Sequence, residues 1–159
     1  MITADLHIHG RYSAATSDHV DFDTLSVGAK AKGIELLGSG DCLHPGWREE
    51  IKKMVQVDGG LYLHRGVHYV LTAEVETADR VHHLLFLPSM SKAEELYLRL
   101  RKFSENMDRD GRPRVNISGE ELALITLESH GMIGPAHAFT PYTGLYGYHD
   151  SLEGCYGAP

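Results

Sequence analysis

Ala4-Asp5-Leu6-His7-Ile8-His9 is the stretch on which the reading of this chain turns. Side chains on a strand alternate between faces, so Asp5, His7 and His9 are expected on one side and Leu6 and Ile8 on the other. Two imidazoles two residues apart on one strand face can grip a single metal ion. Asp5, next along that face, is placed to accept a ring N–H from behind. The competing reading is a strand face turned to water, since alternating strands often lie that way.

Length and composition bound what surrounds this stretch. The chain has 159 residues, 42% of them hydrophobic and 23% charged, enough for one domain with a core of its own. No apolar run approaches the roughly 20 residues of a membrane helix. The start carries no basic region and no signal-type apolar core, so a cytoplasmic protein without membrane contact is expected. Cys42 and Cys155 lie far apart in sequence and form no zinc-type pair. The net charge of −7 argues against a sequence-blind nucleic-acid coat. It leaves room for a phosphate-ester enzyme, because metal ions supply positive charge locally.

From the first strand, over about residues 3–9, a Gly, Ser and Ala-rich loop leads to a helix capped by Asp21 or Asp23. That helix runs to about Lys32 with Phe22, Leu25, Val27 and Ala29 inward, and Gly33 ends it. Residues 34–38 read as a second buried strand ending in Ser39-Gly40-Asp41. A short helix is expected over 47–57, strands over 61–64 and 67–76, and a tight turn at 78–80 into a strand to Leu87. A long helix capped by Ser91 runs to about Asn106, with Leu96, Leu98, Leu100 and Phe103 among its apolar positions. Residues 108–114 are a polar loop. Ser118 and Glu121 form a capping box for a helix to about His130, and a short strand precedes His137. Strand, loop and helix in repeated order suggest parallel βα units, with polar residues at the carboxyl ends of the strands.

Several polar residues sit at those ends. Glu74 lies among apolar Val70, Leu71 and Ala73, and a buried carboxylate is costly unless paired or on a metal. An edge position facing water, beside Glu76, is the alternative. His82 and His83 face opposite sides of one strand, so at most one joins a cluster. His137 follows a Gly-Pro turn. Asp41 suits either a capping role or a metal. Asp18, His19 and His44 are weaker candidates, and His64, His68, His130 and His149 are assigned to structure or surface. Nitrogen and oxygen donors without thiolates suit zinc, manganese or iron.

In order, these motifs resemble the PHP (polymerase and histidinol phosphatase) domain family. The residues that carry the likeness are Asp5-Leu6-His7-Ile8-His9, Glu74, His83 in His-Leu-Leu-Phe-Leu, and His137 in Pro-Ala-His. Members are distorted TIM-like barrels of seven βα strands, with two or three divalent metal ions at the strand ends, and hydrolyse phosphate esters. The resemblance implies that His7 and His9 bind one ion, that Glu74 bridges it to a second, and that His83 and His137 complete the second. Within the family the stretches 5–13, 38–47 and 134–157 are similar to the endonuclease Q branch. Its members cut DNA on the 5′ side of deaminated bases such as uracil or hypoxanthine. Asp41 then stands where other members place the histidine ligand of a third ion, or orients the nucleophile. Asp41 and Glu74 are the catalytic carboxylates of this reading, and Arg11, just after the first motif, is placed to touch the substrate phosphate, with a surface arginine as the alternative.

One departure limits the resemblance. The family's last Asp-x-His motif has no counterpart, and neither do the final barrel strands. The chain is therefore expected to be the first part of a longer protein or a truncated frame, or else to be completed by another chain. An open barrel would expose strand edges and apolar surface, inviting self-association. Three readings follow: a metal-dependent nuclease acting on DNA with deaminated bases, a small-molecule phosphatase of the histidinol-phosphate type, and a scaffold without turnover. Trp47 and the tyrosines at 142–148 are candidates for stacking on a base, with core or rim packing as the alternative.

Overall fold

The computed structural model describes residues 1–157. Seven strands form one sheet: β1 (Ala4–Asp5), β2 (Leu36–Gly38), β3 (Val55–Asp58), β4 (Leu61–His64), β5 (Val67–Glu76), β6 (His82–Leu87) and β7 (Met132–Pro135). Five helices accompany them: α1 (Phe22–Ala31), α2 (Pro45–Ile51), α3 (Met90–Leu100), α4 (Gly119–Glu128) and α5 (Leu152–Tyr156). None is long and apolar enough to cross a membrane.

The long strand β5 organises the sheet. β2 pairs with it in parallel and β1 in parallel with β2. β4 takes the first half of β5 and β6 the second, both antiparallel, while β3 and β7 extend the sheet beyond them. One expectation is corrected here: parallel pairing stops at β1, β2 and β5. The sheet is open, as expected of a barrel without its final strands, and β1 and β7 make no ladder with each other among the described residues. The open face carries an apolar trough of about 710 Å³, lined by Leu6, Leu36, Val70, Phe86 and Met132 among others.

Local chemistry explains the elements. Asp21 caps α1 with its carboxylate on the Thr24 N–H, and the Thr24 hydroxyl accepts the Asp21 N–H in return. Ser118 and Glu121 make the same reciprocal cap on α4. Ser89, not Ser91, caps α3, which stops at Leu100 and tightens into a 3-10 turn. Leu98 faces solvent, as does Val27 of α1, where Ser26 takes the inner place and hydrogen-bonds the Tyr69 hydroxyl. The helix expected over 47–57 ends at Ile51, and Val55–Asp58 leave it to become an exposed strand against β4. Trp47 is fully buried against Phe22 and donates its indole N–H to the Ser39 carbonyl, so it belongs to the core and not to a base-binding surface.

β1 is shorter than its alternating pattern suggests. The ladder ends at Asp5, whose carboxylate is exposed and accepts the His7 backbone N–H instead of a ring N–H. Beyond it the main chain lies on Gly38 and Gly40. A Cβ at Gly38 would stand 2.5 Å from the Leu6 carbonyl, and one at Gly40 would stand 2.5 Å from that of Ile8. Only glycine permits so close a crossing.

Candidate metal and catalytic centre

Glu74, near the end of β5 and only 2% exposed, is the centre on which the site is built. Its Oε1 lies 3.2 Å from His7 Nε2, 3.0 Å from His137 Nε2 and 3.2 Å from His82 Nδ1. Its Oε2 lies 3.2 Å from His9 Nε2. Four imidazoles from three separate segments thus surround one carboxylate. The rings pack on one another: His7 stacks on His137 at 5.6 Å between centroids, and His82 meets His137 edge-on at 5.2 Å.

Strand register decides which histidine of the adjacent pair takes part. β6 lies against β5 with Glu76 opposite His82, Val75 opposite His83 and Glu74 opposite Leu84. Residues opposite one another share a face, and alternation then puts His82 on the face of Glu74 and His83 on the other. His83, expected in the cluster, is therefore a buried core histidine. Its Nε2 lies 2.8 Å from the Thr77 hydroxyl and its Nδ1 lies 2.9 Å from that of Tyr156. Burial pushes its pKa down to about 4. Thr77 in turn donates to Asp79, which pairs with His149, so these side chains fasten the last helix to the β5–β6 turn.

Asp41 stands behind His9. The buried carboxylate accepts the Gly10 N–H (2.7 Å) and the Ser13 hydroxyl (2.9 Å) on Oδ2. It faces His9 Nδ1 at 3.2 Å through Oδ1. The His9 ring is thereby held between Asp41 and Glu74. Burial opposes protonation of that ring, but the carboxylates on either side outweigh it and raise its pKa to about 9. Burial alone would also raise Glu74, yet His7, His82 and His9 hold the carboxyl far below the usual range. The positive φ of Asp41 (48°) and His137 (34°) marks both as residues held in strained backbone at the site.

The donor set fits a divalent cation. His7, Glu74 and His137 offer ligand atoms that all lie within 4.8 Å of one another. Glu74 Oε2 and His82 Nδ1 are buried and lack a hydrogen-bond partner although nitrogen and oxygen atoms lie close by. The large majority of buried polar atoms are paired; Arg11 Nε and His44 Nδ1, outside the cluster, also lack a partner among the described residues. Imidazole and carboxylate donors without sulfur agree with zinc, manganese or iron. Both cysteines are free and buried, and burial raises their thiols to about 12 (Cys42) and 11 (Cys155).

The remaining candidates lie elsewhere. Arg11 reaches Asp21 at 4.0 Å and faces a separate cavity of about 220 Å³, away from Glu74. His44 is buried under Tyr12, and His64 pairs with Asp23. Asp18 and His19 are exposed. A residue absent from the expected site does reach it: Arg112, from the loop read as merely polar, lies 3.6 Å from Glu74 Oε2. A contact made by a loop so distant in sequence leaves no periodicity to find.

No family model matches the chain. It is 44% identical over 141 residues to the uncharacterized protein MJ0043 of Methanocaldococcus jannaschii, covering 89% of this chain and 17% of that one. It is 31% identical over 165 aligned positions to the uncharacterized protein YqxK of Bacillus subtilis, covering 92% and 42%. Among solved structures it is similar to the lesion-specific endonuclease PfuEndoQ of Pyrococcus furiosus. The TM-score is 0.95 at 43% identity, with 98% of this chain and 39% of that chain covered. A structure of endonuclease Q with a 27-mer duplex carrying an abasic lesion at its active site matches equally, at TM-score 0.95 and 43% identity, covering 98% and 40%. The chain thus spans less than half the length of each of these proteins.

Proposed function

We propose that this chain carries the catalytic centre of a metal-dependent phosphoesterase of the PHP type, and that the open sheet is the first part of that family's barrel. The substrate is DNA bearing a lesion, with cleavage on the 5′ side of deaminated bases such as uracil and hypoxanthine. The observation that carries this reading is the convergence of His7, His9, His82 and His137 on the buried Glu74, within 3.2 Å. The likeness to a nuclease that acts on damaged DNA supports it.

A divalent cation held by these side chains supplies Lewis acidity toward a phosphate oxygen and makes water a nucleophile near neutral pH. The chain's own residues do the positioning. Glu74 and His7, His9, His82 and His137 hold the cation. Asp41 fixes the tilt of the His9 ring through Nδ1, as carboxylates behind ligating histidines do. Ser13 and the Gly10 N–H fix Asp41 in turn.

The direct test is a duplex oligonucleotide carrying uracil, hypoxanthine or an abasic site, incubated with the protein and manganese or zinc and resolved on a denaturing gel. Cleavage beside the lesion, with a lesion-free duplex left intact, is expected. Turnover of an aryl phosphomonoester with no cut in any DNA would replace the nuclease by a phosphatase. Bound metal with neither activity would leave a scaffold.

The proton on His9 makes a second prediction. With a pKa raised to about 9, this ring is protonated near neutral pH in the metal-free protein. A cation that binds through its nitrogen must displace that proton. Uptake at about pH 7 should release roughly one proton per chain. Apparent affinity should climb as the pH is raised and level off above about 9. Calorimetric titration in two buffers of different ionisation enthalpy measures this. Uptake without proton release would leave His9 out of the ligand set.

Beside the site, Phe139 and Tyr146 stack at 4.9 Å, and Phe139 is 86% exposed. The Tyr146 N–H donates to the Ala138 carbonyl, one residue from His137. Exposed aromatic faces next to a phosphate site suit an unstacked base, each contact being worth about 1–3 kcal/mol. Changing both to alanine should weaken binding of uracil-containing DNA by about tenfold or more in a polarisation assay, with metal content unchanged. Equal binding would deny them that role.

A further inference from the structure

The loop over residues 108–114 lies across the histidine cluster and is tied there at several points. The Gly111 N–H donates to the Tyr12 carbonyl at 2.9 Å. The Ala14 and Arg112 N–H groups both donate to Asp110 Oδ1, at 3.3 and 3.0 Å. A Cβ at Gly111 would overlap the Asp41 carboxylate and the Ser13 hydroxyl, so the loop sits against the site with no side chain between them. These contacts set the position of Arg112. Its Nη1 lies 3.6 Å from Glu74 Oε2, its one carboxylate neighbour among the described residues, and its side chain remains 31% exposed at the mouth of the site.

This is a costly place for a guanidinium. Glu74 is the single carboxylate within reach, and its two oxygens already face four imidazoles. A cation bound by Glu74 would take up that negative charge and repel the guanidinium beside it. An anion that meets both positive charges removes the conflict. The planar fork of an arginine matches the oxygens of a phosphate, and its charge is permanent.

We infer that Arg112 is a substrate-binding residue that holds a non-bridging oxygen of the phosphate ester at this centre. The inference deepens the phosphoesterase reading and rests on it. It moves to Arg112 the role that position in the sequence had suggested for Arg11, whose side chain is turned toward Asp21.

The test is calorimetric titration of the manganese-loaded protein with inorganic phosphate, with metal content measured on the same samples. Arg112→Ala should weaken phosphate binding by about tenfold to a hundredfold at unchanged metal content, the range for a charge-assisted hydrogen bond. Arg112→Lys should restore part of the loss. Unchanged phosphate affinity in Arg112→Ala would overturn the inference and leave the arginine as a counter-charge to Glu74. Loss of metal in that variant would also overturn it, making Arg112 a prop of the cluster. Weakening in Arg11→Ala but not in Arg112→Ala would return the role to Arg11. A wild-type protein that takes up no metal would bring down the phosphoesterase reading itself, and the inference with it. Metal present with phosphate affinity indifferent to Arg112 would bring down the inference alone.

Discussion

His82→Asn should abolish tight metal binding, while the same change one residue along, His83→Asn, should leave it intact and instead destabilise the fold. His82 Nδ1 faces Glu74 Oε1 at 3.2 Å, and its Nε2 is steadied by Glu76 at the same distance. Groups that merely orient a ligand are worth about 10–100-fold in metal affinity. Removal of the ligand itself should cost at least about a hundredfold by that measure. His83 has no line to the cluster, but it is wholly buried and serves both Thr77 and Tyr156. Stranding those hydroxyls costs about 2 kcal/mol, or roughly 4–8 °C in Tm for a chain of this size.

The two variants also differ in acid. The folded protein holds His83 at about 4 against an ordinary 6.5, so between those values the unfolded chain binds the proton and the folded one does not. The stability gained by keeping this ring neutral is complete above 6.5 and is lost as the pH falls toward 4. His83→Asn should lack that component, and His82→Asn should keep it. Elemental analysis and thermal melts across pH decide the matter. Metal lost from His83→Asn and retained in His82→Asn would reverse the assignment.

The largest single effect is expected at Glu74. This carboxylate is the common neighbour of the cluster, with His7, His9, His82, His137 and Arg112 all directed at it. Glu74→Gln keeps the shape and removes the charge. Metal content should fall below about one ion in ten chains, and hydrolysis should drop to background, since imidazoles bring no negative charge to offset a guanidinium beside a cation. The metal-free variant should also lose about 3 kcal/mol near neutral pH, the scale for removing one partner of a buried charged set. The folded carboxyl lies far below its ordinary 4.5, so its contribution is complete above that value and is lost progressively below it, toward the much lower folded value. Circular dichroism checks that the variant is folded. A folded Glu74→Gln protein with full metal and full turnover would sink the site as drawn.

How much of this was legible in the sequence differs from residue to residue. The alternation of His7 and His9 placed both imidazoles on one side, and both do reach Glu74, although the ladder itself stops at Asp5. The capping box of α4 is readable because it is complete within four residues, whereas for α1 the sequence offers Asp21 or Asp23 as cap and the structure selects Asp21. The choice between His82 and His83 depended on the register of β5 against β6, which no local pattern specifies. Family likeness pointed to His83, and the pairing of Glu76 with His82 overrules it. Residues 55–57 read as the end of a helix and Asp58 as turn, because a short edge strand has too few residues to show its period. Arg112 was missed because its placement depends on ties between residues 14 and 110. Parallel βα units are suggested by element order, and order does not tell a strand which way to run.

The seating of residues 6–9 on Gly38 and Gly40 bears on how such a centre tolerates mutational drift. Carbonyl oxygens of Leu6 and Ile8 rest on α-carbons, so the height of both histidines above the sheet is set by atoms that every amino acid possesses. Side chains around the site can vary without moving that seat. At Gly38 and Gly40 that latitude vanishes, because an added methyl would strike the Leu6 carbonyl in the one case and the Ile8 carbonyl in the other. Latitude in the side chains around this seat and intolerance at the two glycines beneath it are the same fact seen from opposite sides.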